Sequence, residues 1–213
     1  VFPPEYLEEH NLWPIGRALP EIHKPSDWEN LKHARRRFVY QELFILQLAL
    51  AVRRARQRKF SDAPVLEASA KIDARIRRLF PFELTAGQRK SIEQIAHDMA
   101  QTAPMNRLLQ GDVGSGKTVV AVYAMLAAVA NGHQAVMMAP TEVLARQHGK
   151  TLRRLLQNSH VRMAELTGGL SAAQRSAMLE AIADGRIDVV VGTQAIIQDD
   201  VNFSKLGLVV IDE

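Results

Sequence analysis

The chain has 213 residues, enough for one good-sized core plus an extension. Hydrophobic residues make up 47% and charged residues 23%, an ordinary globular balance, and 27 Lys+Arg against 23 Asp+Glu leave +4, a charge that permits a nucleic-acid partner without requiring one. With no cysteine, the chain excludes disulfides, thiol catalysis and thiolate metal sites, which fits a reducing compartment.

The opening VFPPEYLEEH has no basic stretch followed by an apolar one, so it is not a secretory signal, and without an initiator Met the chain reads as a piece of a longer one. Residues 1–25 carry Pro3, Pro4, Pro14, Pro20 and Pro25 and read as loops with one short helix. Residues 26–59 read as a long helix, capped by Ser26 or Asp27 with Glu29 in the first turn. Trp28, Leu31, Phe38 and the run LFILQLALAV at 43–52 suggest an apolar face against a partner domain. That run falls well short of the ~20 residues of a membrane span and has Arg-rich flanks, so it reads as a buried helix. The Arg clusters at 35–37 and 53–59 are either a solvated face or phosphate contacts. A break at 61–64 precedes another helical piece, 65–79.

From Phe80 the texture changes. RLLQ reads as a strand, and GDVGSGKT leads into an apolar helix closed by Asn131-Gly132. QAVMMAP is a short apolar strand, and TEVLARQHGKTLRRLLQ a helix capped by Thr141. SAAQRSAMLEAIADG is another helix, with Ser171 and Gln174 as a capping box and Gly185 at its end. IDVVVGT and LGLVVIDE are β-branched strands. Short buried strands alternating with amphipathic helices predict a parallel sheet with helices on both faces.

GDVGSGKT, residues 111–118, matches G-x-x-x-x-G-K-[ST] completely. Gly111, Gly114 and Gly116, with Asp112, Val113 and Ser115 between them, let backbone N–H groups turn inward toward phosphate oxygens. The following helix adds the positive end of its dipole. Lys117 brings a cation to the β- and γ-phosphates, and Thr118 offers a hydroxyl to Mg²⁺. LVVIDE ends in two carboxylates. Beside a phosphate cradle, Asp212 takes the Mg²⁺-holding role and Glu213 that of general base for the attacking water. Upstream, Thr85-x-x-Gln88 forms a capping box, and Gln88 also stands where a reader of the adenine edge would. APTEVLARQ, LTGG and VGT each follow an expected strand, where ligands bind in open α/β sheets, although Thr141 also suits a cap and Gly168-Gly169 a turn.

In this order the pieces resemble the first motor domain of superfamily 2 helicases: LTAGQ the Q motif, GDVGSGKT motif I, APTEVLARQ motif Ia, LTGG motif Ib, VGTQAI the DNA-contacting motif after it, and VVIDE the start of motif II. RLLQGDVGSGKTVVA, MAPTEVLARQH, VVVGTQAIIQDDVNF and ARRRFVYQELFILQL are similar to the RecG family of branched-DNA translocases, across nearly the whole chain. The motor of transcription-repair coupling factors is the nearest rival. It usually carries an aromatic where Ser115 stands, and lacks the Arg-rich helix.

The resemblance implies an α/β, RecA-like P-loop motor domain over residues 80–213, cut at motif II, with residues 1–79 a helical linker from a DNA-wedge domain. It implies ATP and Mg²⁺ as cofactors, Gln88 on adenine, residues 111–118 on the phosphates, Thr118 and Asp212 on the metal, and Lys117 and Glu213 in catalysis. It implies Thr141, Arg146, Gly168 and Thr193 on DNA. The partner it implies is branched double-stranded DNA, forks and four-way junctions remodelled in recombination and repair, and the protein would be a monomer of the bacterial cytoplasm and nucleoid, not of a membrane. The second motor domain, with its arginine finger, is not in these residues, so they are expected to hydrolyse ATP very slowly by themselves. A P-loop kinase or nucleotide switch acting without DNA is the other class of reading, and it leaves APTEVLARQ and VGTQAI unexplained.

Overall fold

The structure, a computed structural model, describes residues 2–60 and 63–212, without the side chains of 57–60. The chain divides into two compact units, Val1–Ser61 and Asp62–Glu213.

The first unit is three helices, α1 (Pro4–Glu9), α2 (Ile15–His23) and α3 (Trp28–Phe60). The sequence suggested loops and one short helix before α3, yet two helices form. Three of the prolines explain this: Pro3 and Pro14 are N-caps and Pro4 opens α1, positions where a missing N–H costs nothing, while Pro20 is accommodated inside α2. Asp27 Oδ1 accepts from Asn30 N–H at 2.7 Å, so Asp27 provides the cap of α3. Phe2, Tyr6, Tyr40 and Phe44 form an aromatic cluster between α1 and α3, and Ala18 and Ala34 are fully buried where α2 meets α3. Arg37 is buried with its guanidinium 4.8 Å from the Phe2 ring centre.

The expected burial of the Leu-rich run is corrected. Leu43, Ile45, Leu46 and Leu48 are each more than half exposed. At 33 residues α3 is about 50 Å long, and the two short helices cover only its first half. Among the described residues no helix is long and apolar enough to cross a membrane.

The second unit contains α4 (Ala70–Arg77), α5 (Ala86–Met99), α6 (Lys117–Ala130), β1 (Gln134–Met138), α7 (Glu142–Leu156), β2 (Met163–Leu166), α8 (Ala172–Ala183), β3 (Val189–Gly192), a 3-10 turn (Gln194–Ile197) and β4 (Leu206–Ile211). The four strands pair in parallel in the order β2-β3-β1-β4. Alternation sends side chains to two faces. Ala135, Met137, Val189 and Val191 pack with α4, α5, α6 and α7, while Val136, Val190 and Leu166 pack with Ile182 of α8 and Ile196. The predicted parallel sheet with helices on both faces is what forms. α4, read from the sequence as the end of a linker, packs in this unit: Ile76 joins the core, and Tyr123 OH of α6 donates to Asp73.

The strand expected at RLLQ is absent. Residues 103–112 run without ladder bonds, and Leu108 is 86% exposed. A cavity of about 620 Å³, lined by Met105 and Leu108 on one side and Leu206 to Val209 on the other, separates this segment from β4. Paired strands lie only ~4.8 Å apart, so no ladder spans that gap.

Candidate functional site

The 111–118 loop folds as a tight turn onto the N-terminus of α6. Gly114 and Gly116 have φ of +79° and +80°, left-handed values that L side chains rarely adopt, and Gly116 is the N-cap of α6. The first N–H groups of this helix are therefore left for an anion rather than for a capping side chain. Lys117 Nζ donates to the carbonyls of Gly111 at 2.7 Å and Asp112 at 3.1 Å, so its charge lies within the loop. Val113 and its neighbours 110–115 are exposed.

Gln88 is tied to this loop. Its Oε1 accepts from Thr85 N–H at 2.9 Å, completing the capping box of α5, while its Nε2 donates to Ser115 O at 2.9 Å. A methyl on Gly116 would overlap that Nε2. The Gln side chain thus couples the start of α5 to the bend of the loop. Both sequence readings of Gln88 concern one amide, and the capping role is the one visible here.

Gly111, Lys117 and Thr118 line a cavity of about 490 Å³ together with Met137, Val210 and Asp212. The cradle and the end of β4 therefore face one space. Asp212 is fixed there twice: its N–H donates to Met138 O at 2.9 Å, and its Oδ2 lies 2.6 Å from His148 Nε2. Glu213, expected as the base, lies outside the described residues. Among the described residues no group of three or more His, Asp or Glu is arranged to hold a metal by itself. A hard divalent ion suits what is present, one carboxylate and one hydroxyl, with phosphate and water supplying the remaining oxygens.

The other expected contacts fall along the C-terminal ends of three strands. Thr141 follows β1 and caps α7, accepting from Leu144 N–H at 3.3 Å. Gly168 follows β2, and Thr193 follows β3 with no capping bond from its side chain. Arg146 pairs with Glu142 at 3.6 Å, and the Gly168-Gly169 turn leaves room for that pair: Cβ atoms there would sit 3.1 Å from Glu142 Oε1 and 3.8 Å from Arg146. This gathers Thr141, Arg146 and Gly168; Thr193 is on the same edge, beyond β3. Glu142 and His148 carry no sign in the sequence of the places they occupy. His148 in particular is one of seven histidines, and only the fold brings it to a residue 64 positions away.

The DEAD/DEAH box helicase family matches residues 85–213. The ATP-dependent DNA helicase RecG of Synechocystis sp. is 42% identical over 99% of this chain and 25% of its own length, and that of Streptococcus pneumoniae 43% identical over 99% and 31%. The chain thus spans about a quarter to a third of the length of these curated relatives. Among solved structures, RecG bound to a three-way DNA junction superposes with a TM-score of 0.86 at 39% identity, over all of this chain and 29% of that one. With a parallel RecA-like sheet, a phosphate loop facing the end of β4 and these relatives along its length, the chain belongs to the DEAD/DEAH box helicase family and is RecG-like from its first helices to its last strand.

Proposed function

We propose that these residues are the nucleotide-binding part of a motor that uses ATP and Mg²⁺ to move along double-stranded DNA and remodel branched forms, stalled forks and four-way junctions. The observation that carries the reading is the single cavity lined by Lys117, Thr118 and Asp212. In this reading the loop N–H groups and Lys117 hold the phosphates, Thr118 and Asp212 hold Mg²⁺, and Gln88 stands at the adenine. A bound Mg²⁺ would neutralise charge building on the phosphates during transfer to water. Glu213 would take the proton from that water. Thr141, Arg146, Gly168 and Thr193 would meet the phosphodiester backbone, which positions a protein without reading sequence. The RecG neighbour was solved on a three-way junction, which supports branched DNA as the partner. Residues 1–79 would carry the link to a wedge domain, with the helices of the first unit as the link itself and α4 as its anchored end in the α/β unit.

In the intact protein, Lys117→Ala is expected to lower ATP turnover with forked DNA at least about 100-fold with the fold retained by circular dichroism. Unchanged turnover would remove the cradle from the reading. The 213 residues alone are expected to bind nucleotide weakly and hydrolyse it very slowly. Arg107, the one guanidinium lining the cavity among the described residues, is paired with Asp98 at 2.7 Å in this structure. A phosphate-release assay with and without forked DNA tests this, and strong DNA-stimulated turnover by the isolated piece would contradict it.

A further inference from the structure

Asp212 is held by two bonds that lead to the same segment. Its backbone N–H binds Met138 O at the end of β1, and its carboxylate Oδ2 binds His148 Nε2 of α7, the helix that follows β1. His148 lies on the inward side of α7, between the buried Ala145 and Leu152. Its side chain is 12% exposed and that of Asp212 37%, so the imidazole is the more enclosed of the two partners. Asp212 also lines the cavity shared with Lys117 and Thr118. One carboxylate oxygen, Oδ2, is engaged by the imidazole, and Oδ1 has no hydrogen bond among the described residues. The first turns of α7 carry Thr141, Glu142 and Arg146, the edge assigned to DNA.

We propose that His148 is a positioning residue that fixes the orientation of the Asp212 carboxylate for the divalent cation, and so ties the DNA-facing start of α7 to the metal side of the nucleotide site. The inference rests on the nucleotide-site reading above. A buried imidazole that donates to a ligating carboxylate is an outer-shell partner, and such partners set ligand orientation and affinity. A histidine that merely fills space under α7 would need bulk at that position but no N–H. The two roles therefore separate by substitution. His148→Phe keeps a ring and removes the donor. His148→Gln is smaller and supplies an amide N–H at a similar reach.

The test uses the intact protein and a fluorescent, non-hydrolysable ATP analogue titrated with Mg²⁺, so that no turnover enters the readout. His148→Phe is expected to raise the half-saturating Mg²⁺ concentration roughly ten-fold, and His148→Gln to stay within about three-fold of the parent. Analogue affinity without Mg²⁺ should be the same in all three, which also reports an intact loop. If the Phe ring prevents folding, His148→Ala takes its place with the same expectation. A midpoint that does not move in His148→Phe, or one that moves equally in His148→Gln, overturns the proposal. Asp212→Asn in the same titration tells the two levels apart. If it weakens Mg²⁺ dependence while His148→Phe does not, His148 alone loses its role. If Asp212→Asn changes nothing, the metal reading of Asp212 fails and takes the proposal with it.

Discussion

Gly192 shows at the scale of one residue how a motif glycine can be required by packing. It ends β3 between Met138 of β1 and Leu166 of β2. A Cβ there would overlap the backbone carbonyl of Leu166 and sit 2.9 Å from Ile196 Cδ1. A carbonyl in a parallel ladder cannot step aside as a flexible side chain can. Gly192→Ala is therefore expected to destabilise the α/β unit by about 1–3 kcal/mol, measured by urea denaturation. Gly87 is the counterpart: it lies in the first turn of α5 with nothing within 4 Å of a new Cβ, so the same substitution there should be neutral or stabilising by up to ~1 kcal/mol. Equal effects at the two positions would refute the packing argument. VGT drew attention in the sequence for its threonine as a nucleic-acid contact; the structure gives the neighbouring glycine a reason of its own, which a single sequence does not display.

At the scale of elements, the helix starts were legible because their signals are local. Thr85 with Gln88 and Ser171 with Gln174 form the capping boxes that their spacing announces, and Thr141 caps α7. What depended on a distant neighbour was not legible. RLLQ is apolar enough for a strand but has no ladder partner among the described residues, and the Leu-rich half of α3 is apolar but uncovered within its unit. The site divides in the same way: the phosphate loop could be read from eight adjacent residues, whereas the bond between His148 and Asp212 exists only once β1, α7 and β4 have assembled. The docking of α4 is another long-range event, and it can be tested. Tyr123, 2% exposed on α6, donates its hydroxyl to Asp73 of α4, and Arg77 grips the same carboxylate at 2.7 Å. Burial and then the Asp73 carboxylate both push the Tyr123 hydroxyl well up, which favours its protonated, donating form. Tyr123→Phe is expected to cost about 1 kcal/mol and to speed amide exchange in α4 relative to α7. Unchanged exchange in α4 would mean that Ile76 and the other apolar contacts hold it unaided.

For the α/β unit as a whole, two carboxylates make stability depend on pH. Asp188, at the start of β3, accepts from Arg162 N–H at 2.7 Å and from its guanidinium at 2.6 and 3.0 Å, clamping the entrances of β2 and β3 together. Asp73 joins α4 to α6. Burial pushes both carboxyls up, but at Asp188 the Arg162 guanidinium and backbone N–H, and at Asp73 Arg77 and Tyr123, outweigh it and hold each below the ordinary carboxylate range. A group whose folded pKa is depressed releases its proton more readily in the native state. The unfolded chain therefore binds more protons through the acid range, and stability falls as pH falls. The contribution is complete above the ordinary range near pH ~4 and is lost as pH drops through the lower folded values. Urea denaturation of the α/β unit is thus expected to shift to lower midpoint between about pH 5 and pH 3. Asp188→Asn removes one of these two depressed carboxyls. It should cost about 1–2 kcal/mol at pH 7, where the charge-assisted bonds are lost, and less at pH 3, where the parent has begun to lose them too. The two curves should converge toward acid. Curves that stay parallel from pH 7 to pH 3 would show that the Arg162 clamp does not carry the linkage, and would leave Asp73 as the acid-sensitive joint of the unit.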